Sequence, residues 1–220
     1  EEEFNKILLP YNISVHANRL YRSTSELTIK TLEEMEKSIE ETLFLLNMIN
    51  PDVIIFGCTS GSLIFGYGWD KTIIERMMKH TNSKATTTST SVIKAIKKLK
   101  MKNIAIVTPY IDQINKKEKD FLFHHGINTL EMRSFNIKEA KEIPNIKEKD
   151  VIDLVNDFYN LEKLDGIFIS CTNLRSFSLI DKIEKKINKP VVTSNQASLW
   201  DAINLLKSNI KIKGIARLFK

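Results

Sequence analysis

Asp52-Val53-Ile54-Ile55-Phe56-Gly57-Cys58-Thr59 is a short apolar run closed by a glycine and a cysteine. It has strand length, no polar alternation and no helical spacing, so it reads as a strand buried on both faces of a sheet. The pattern returns as Asp165-Gly166-Ile167-Phe168-Ile169-Ser170-Cys171-Thr172, with the same step from Asp to Cys. A weaker echo follows each copy, Thr88-Ser89-Thr90 and Thr193-Ser194-Asn195. Two related half-domains are therefore expected, with half-repeats over 52–107 and 165–207.

Outward from these runs, strand-length segments alternate with helical ones. Leu32, Met35, Ile39, Leu43 and Leu46 step by three and four, predicting one helix over 27–50. Further helices are expected over 69–80, 91–99, 113–125, 151–161, 176–187 and 197–207, and further strands over 104–107, 127–135 and 191–193. Gly126 is the expected stop of the helix before it. Such alternation predicts an α/β fold with parallel strands and crossover helices. Sites in these folds lie beyond the carboxyl ends of the strands. That rule selects Cys58-Thr59-Ser60, Thr108-Pro109-Tyr110, Cys171-Thr172-Asn173 and Thr193-Ser194-Asn195.

The 220 residues suit one α/β unit or two packed halves, and 42% hydrophobic content supports a core. No stretch approaches the roughly 18 apolar residues of a membrane helix, and Glu1-Glu2-Glu3-Phe4 does not begin a signal peptide. Two cysteines make no disulfide framework, so reduced thiols and a cytoplasmic location are expected. His16, His80, His124 and His125 show no ligand spacing, and no metal is expected. The net charge of +6 comes from lysines on helical segments such as Lys94, Lys97, Lys98 and Lys100, without an aromatic-interleaved stripe. Neither a nucleic-acid nor a membrane partner is expected.

Paired Cys-Thr tips across one cleft would bring two thiols to a substrate from opposite sides. A thiolate is a nucleophile or base, and a thiol is an acid. Backbone N–H groups after each strand, with Thr59, Ser60, Thr172 and Asn173, would hold a carboxylate and lower a cysteine's pKa. The plain alternatives are that both cysteines are small buried hydrophobes and that Thr59 and Ser60 cap a helix.

Gly57-Cys58-Thr59-Ser60-Gly61-Ser62, Thr108-Pro109-Tyr110, Ser170-Cys171-Thr172-Asn173-Leu174 and Ser194-Asn195-Gln196-Ala197 together resemble the maleate cis-trans isomerase and arylmalonate decarboxylase branch of the aspartate/glutamate racemase superfamily. In motif they are most similar to the racemase-type proteins of ectoine utilisation. The resemblance runs from about Leu8 to the end of the chain. It implies two Rossmann-like lobes related by a pseudo-two-fold axis, with the site between them, no cofactor, and a homo-oligomer. The first lobe would comprise 1–105 and 195–220, and the second 106–194. It implies Cys58 as the nucleophile toward an alkene carbon and Cys171 as the proton handler. Thr59, Ser60 and Tyr110 would hold a substrate carboxylate, and Asn136 matches a carboxylate-binding asparagine. The decarboxylases carry glycine at the first cysteine, and the racemases' Cys-Asn-Thr and Gly-Cys-Thr-Glu patterns are absent, so an isomerase of a small dicarboxylate is favoured. Two-base racemisation of an acidic amino acid or an ectoine-derived compound stays open, as does a non-catalytic carboxylate-binding protein. The strand and Pro-Ser-Ser-Asn-like loop that open the family's chains have no expected counterpart before Leu8–His16. His16 and Arg19 are expected to be structural.

Overall fold

A computed structural model describes residues 1–207, 210, 212 and 216–220. The rest of the expected first-lobe tail, at 208–209, 211 and 213–215, lies outside the described residues. Helix α1 spans Glu2–Leu8, then α2 Ile29–Glu36 and α3 Ile39–Asn47 precede strand β1, Val53–Phe56. Next come α4 (Trp69–His80), β2 (Lys84–Thr87), α5 (Thr88–Lys98), β3 (Asn103–Thr108), α6 (Asp112–His124) and β4 (Asn128–Ser134). The chain closes with α7 (Glu148–Asn156), β5 (Gly166–Ile169), α8 (Phe177–Ile187), β6 (Val191–Thr193) and α9 (Ser194–Leu206).

The strands form two parallel sheets, one of order β1-β2 and one of order β4-β3-β5-β6. Each sheet is the floor of a lobe. Helix α5 carries the chain from β2 of the first sheet to β3 of the second. Helix α9 leaves β6 and returns to pack on α5, β2 and β1. The two crossings are locked together by Asp201, a buried acid on α9. It accepts hydrogen bonds from Lys94 Nζ at 2.8 and 2.9 Å, Thr86 Oγ1 at 2.6 Å and Ser91 Oγ at 3.1 Å. A buried carboxylate is tolerated because cation and hydroxyls together replace its water.

Several sequence expectations change. The helix expected over 27–50 is two helices, broken at Lys37–Ser38. Ser38 Oγ bonds the Met35 carbonyl and accepts the Tyr21 N–H at 3.0 Å, so a side chain competes with the helical ladder. Strand β2 went unforeseen because Lys84-Ala85-Thr86-Thr87 lacks an apolar pattern, although Thr86 and Thr87 are fully buried. Helix α7 begins three residues earlier than expected, at Glu148, and ends at Asn156. Strand β1 is not buried on both faces. Ile54 and Phe56 face the core and Val53 and Ile55 are half-buried, whereas every residue of β5 is buried. The second echo shifts by one residue. Thr87 and Thr193 are the matching N-caps, each accepting a backbone N–H from three residues ahead, Thr90 or Gln196.

Gly166 shows how tight the second sheet is. A Cβ there would sit 2.5 Å from the Pro190 carbonyl oxygen and 2.6 Å from Met101 Cε. The nearer clash is with backbone, which cannot rotate away. Gly166→Ala is expected to destabilise the fold by about 3 kcal/mol, read as a lower urea midpoint at unchanged slope.

Candidate active site

Cys58 lies two residues beyond the end of β1. Its Sγ accepts the Gly61 N–H at 3.3 Å and has Ser60 Oγ at 3.7 Å. Gly61 permits that approach, since a Cβ there would lie 3.2 Å from both the sulfur and the Phe56 ring. No regular helix starts here. Residues 59–65 are consecutive turns, and α4 begins only at Trp69. Thr59 and Ser60 are therefore not helix caps.

Cys171 follows β5 with φ of +102°, a conformation that costs a non-glycine residue on the order of 1–3 kcal/mol. Its N–H donates to Ser194 Oγ at 3.0 Å, and its Sγ accepts the Asn173 N–H at 3.4 Å. The thiol is buried, and burial pushes it up to about 12. Hydrogen bonds from the Tyr110 hydroxyl and the Asn173 and Leu174 N–H groups pull the other way, while Cys58 adds to the rise. The donors are where the sequence places them, but they do not make Cys171 acidic, because desolvation outweighs them. Tyr110 is fully buried and is also held well above its ordinary value, first by burial and then by Cys171, Glu118 and Cys58. Both cysteines and Tyr110 thus share one electrostatic neighbourhood. Cys58 is half-buried while Cys171 is buried, so the two thiols differ in access.

Two bridges hold the tips side by side. Thr172 Oγ1 donates to the Gly57 carbonyl at 3.0 Å. Thr59 Oγ1 donates at 2.8 Å to Ser194 Oγ, the same oxygen that receives the Cys171 N–H. The Asn173 side chain is spent on the Ala140 carbonyl, at 2.9 Å. Asn136 is exposed beyond β4 with φ of +53°, and its N–H bonds Ser134 Oγ at 3.0 Å. It stands beside Tyr110, because Ile137 N–H donates to the Pro109 carbonyl at 2.8 Å. Ser134 Oγ and Asn115 Nδ2 both hold the Tyr110 carbonyl.

Two participants escaped the sequence reading. Ser194 was visible only as part of a polar tip, and its role as shared acceptor depends on long-range geometry. Glu118 is buried and accepts from Ser170 Oγ at 2.6 Å, directly behind Cys171. Its signal was its spacing, since Ile114, Glu118, Phe121 and Leu122 fall on one helical stripe and only one of them is charged. Among the described residues no cluster of three or more potential ligands could hold a metal, and no helix is long and apolar enough to cross a membrane.

The family model described as arylmalonate decarboxylase matches residues 11–219. The chain belongs to the arylmalonate decarboxylase family. A relative in this family, the arylmalonate decarboxylase of Bordetella bronchiseptica, is 30% identical over 163 residues, covering 73% of this chain and 68% of its own. The maleate isomerase of Nocardia farcinica is 21% identical over 213 residues, covering 94% and 84%. Among solved structures, a cysteine-to-serine variant of the Nocardia farcinica maleate cis-trans isomerase, with a covalently bound succinylcysteine intermediate, superposes with a TM-score of 0.93. It is 17% identical and covers 99% of this chain and 91% of that one. A liganded arylmalonate decarboxylase in which a glycine is replaced by cysteine and a cysteine by serine gives a TM-score of 0.91 at 26% identity, covering 99% and 92%. The α/β fold of this chain is thus shared with both a maleate isomerase and an arylmalonate decarboxylase.

Proposed function

We propose that the protein is a cofactor-independent cis-trans isomerase of a small dicarboxylate such as maleate. The observation that carries this reading is the pair of tied cysteine tips with unequal thiols. The half-buried Cys58, touched by the Gly61 N–H, is the attacking group. The buried Cys171, a thiol up to about 12, is the proton carrier.

Cys58 adds as thiolate to C2 of the alkene, and the electron pair moves to C3 and its carboxylate. Cys171 delivers its proton to C3, leaving a succinyl thioether on Cys58. The former double bond is now single and rotates. Cys171, as thiolate, retrieves the proton from C3, and the electrons re-form the double bond as Cys58 leaves. The product is the trans isomer, and both thiols regain their starting states.

Ser60, Tyr110 and Asn136 are proposed as side-chain donors to the substrate carboxylates, with the backbone N–H groups of both tips. Thr59, Thr172 and Asn173 serve the same site by fixing the tips, which their hydrogen bonds support. A lobe division near residues 105 and 195 belongs to the same proposal, supported by α5 and α9 as the crossings. Self-association belongs to it too. Phe44, Leu45 and Met48 at the end of α3 are exposed, an apolar surface suited to a second copy.

Decarboxylation is a second reading, favoured by the relative at 30% identity. In a solved arylmalonate decarboxylase a cysteine stands in for a glycine by substitution, whereas this chain carries two cysteines. One assay separates the readings. Maleate, an arylmalonate and acidic amino acids are incubated in D₂O and followed by NMR. Fumarate from maleate is the expected result. Carbon dioxide from the arylmalonate, or α-deuteration of an amino acid, without fumarate would overturn the isomerase reading.

A further inference from the structure

Glu118 is 1% exposed, and only one of its two carboxyl oxygens has a partner. Oε1 receives the Ser170 hydroxyl at 2.6 Å. Oε2 is buried with no hydrogen-bond partner among the described residues. Glu118 lines a cavity of about 10 Å³ whose walls include Leu63, Val92, Phe121, Leu122 and Phe168. The polar residues facing it from the other lobe, Thr59 and Ser89, are uncharged and turn their hydroxyls to other acceptors, Ser194 Oγ and the Thr59 carbonyl. Among the described residues no charged side chain other than Glu118 lines that cavity. Tyr110 is the titratable neighbour that feels Glu118, and Tyr110 in turn hydrogen-bonds Cys171.

A carboxylate with one bare oxygen against apolar walls is a costly species, and the neutral acid is far cheaper. The hydroxyl that Glu118 holds belongs to Ser170, whose N–H is fixed to the Val107 carbonyl at 2.8 Å. The next residue is Cys171, in its left-handed conformation. A strained residue persists only where its surroundings over-determine it. Here the tethers are Glu118 on one side and Ser194 on the other.

We propose that Glu118 is a positioning residue that, as a neutral acid, holds the Ser170–Cys171 turn, and that its ionisation disfavours the Cys171 thiolate. Its significance for turnover rests on the reading of Cys171 as proton carrier; the juxtaposition itself does not. Burial pushes the Glu118 carboxyl up to about 7, against about 4.3 in an unfolded chain. The stability of its neutral form is therefore fully present below about pH 4.3 and is lost as the pH rises through about 7.

The test needs no substrate. Infrared titration of the whole protein should show the C=O band of a protonated carboxyl at pH 6, absent from Glu118→Gln. Glu184 on α8, another carboxyl raised by burial, accepts the Val191 N–H at the amino end of β6 and is untouched by that substitution, so the difference between wild type and variant reports Glu118. In a Cys58→Ala background, the rate of Cys171 alkylation by iodoacetamide is then followed against pH. With Glu118 present the rise should flatten through about pH 7, leaving the rate about tenfold below the extrapolated line. Glu118→Gln, which keeps an acceptor for Ser170, should restore the straight line, whereas Glu118→Ala should change the rate at every pH. If Glu118→Gln does not fold, the flattened wild-type profile and the same pair of measurements on Glu118→Asp decide. An absent band at pH 6, or a flattening that survives in Glu118→Gln, would overturn the proposal. Neither result touches the isomerase reading, which stands or falls with fumarate formation.

Discussion

Replacing Cys58 with alanine is expected to lower maleate turnover by at least about 10⁴-fold and to abolish any covalent adduct. The alanine removes the only proposed atom that bonds carbon. It takes away the acceptor of the Gly61 N–H but leaves the Thr172–Gly57 bridge in place, because that bridge ends on a backbone carbonyl. The fold and the substrate Kd should therefore change little. Intact-protein mass spectrometry after incubation with maleate, alongside fumarate production, provides the check. Full activity in Cys58→Ala would end the nucleophile assignment.

Cys171→Ser should do something different: turnover falls by about 10³-fold, while an adduct one maleate heavier accumulates on Cys58. Serine keeps the small polar side chain at φ of +102° and its hydrogen bonds with Tyr110 and the Asn173 N–H. Its hydroxyl, far less acidic than a thiol, stays protonated, so C3 takes its proton from water during capture, and a neutral hydroxyl is then a poor base for removing it, so release suffers more than capture. The same peptide should carry the extra mass after proteolysis. A variant that turns over slowly with no accumulating adduct would place the proton step elsewhere, with Tyr110, which hydrogen-bonds Cys171, the group to replace next.

The parallel sheets and their strand tips were legible because apolar runs without alternation leave few alternatives. Val53–Phe56 and Gly166–Ile169 announce themselves, and the reactive residues follow each directly. Strand β2 was hidden by its threonines, whose burial depends on Ser91 in the following helix and on Asp201, far away in sequence. The break at Ser38 was hidden for a similar reason, since Tyr21 supplies the competing bond. At the site, the residue types were readable and their duties were not. Thr59 and Thr172 are polar residues at a tip in either role. Only the opposite lobe shows that their hydroxyls point at protein acceptors, Ser194 and Gly57. The raised pKa of Cys171 was not legible, because N–H donors can be counted along a chain, whereas desolvation is a property of the packed volume.

The lock between α5 and α9 bears on how a substrate gets in. Helix α5 is the covalent link from the first sheet to the second and α9 reaches back from the second onto the first, and Asp201 on α9 rivets the two through Lys94 and Ser91 of α5 and Thr86 of β2. A jaw needs a pivot, and here the pivot is clamped: swinging one lobe away from the other would strip a buried carboxylate of its partners, at a cost of several kcal/mol. The entrance must then be worked by the turns over 59–65 and the segment between Cys171 and α8, while the sheets stay still. Traffic of ligands should accordingly leave the amide-exchange protection of α5 and α9 unchanged and alter it only in those two stretches.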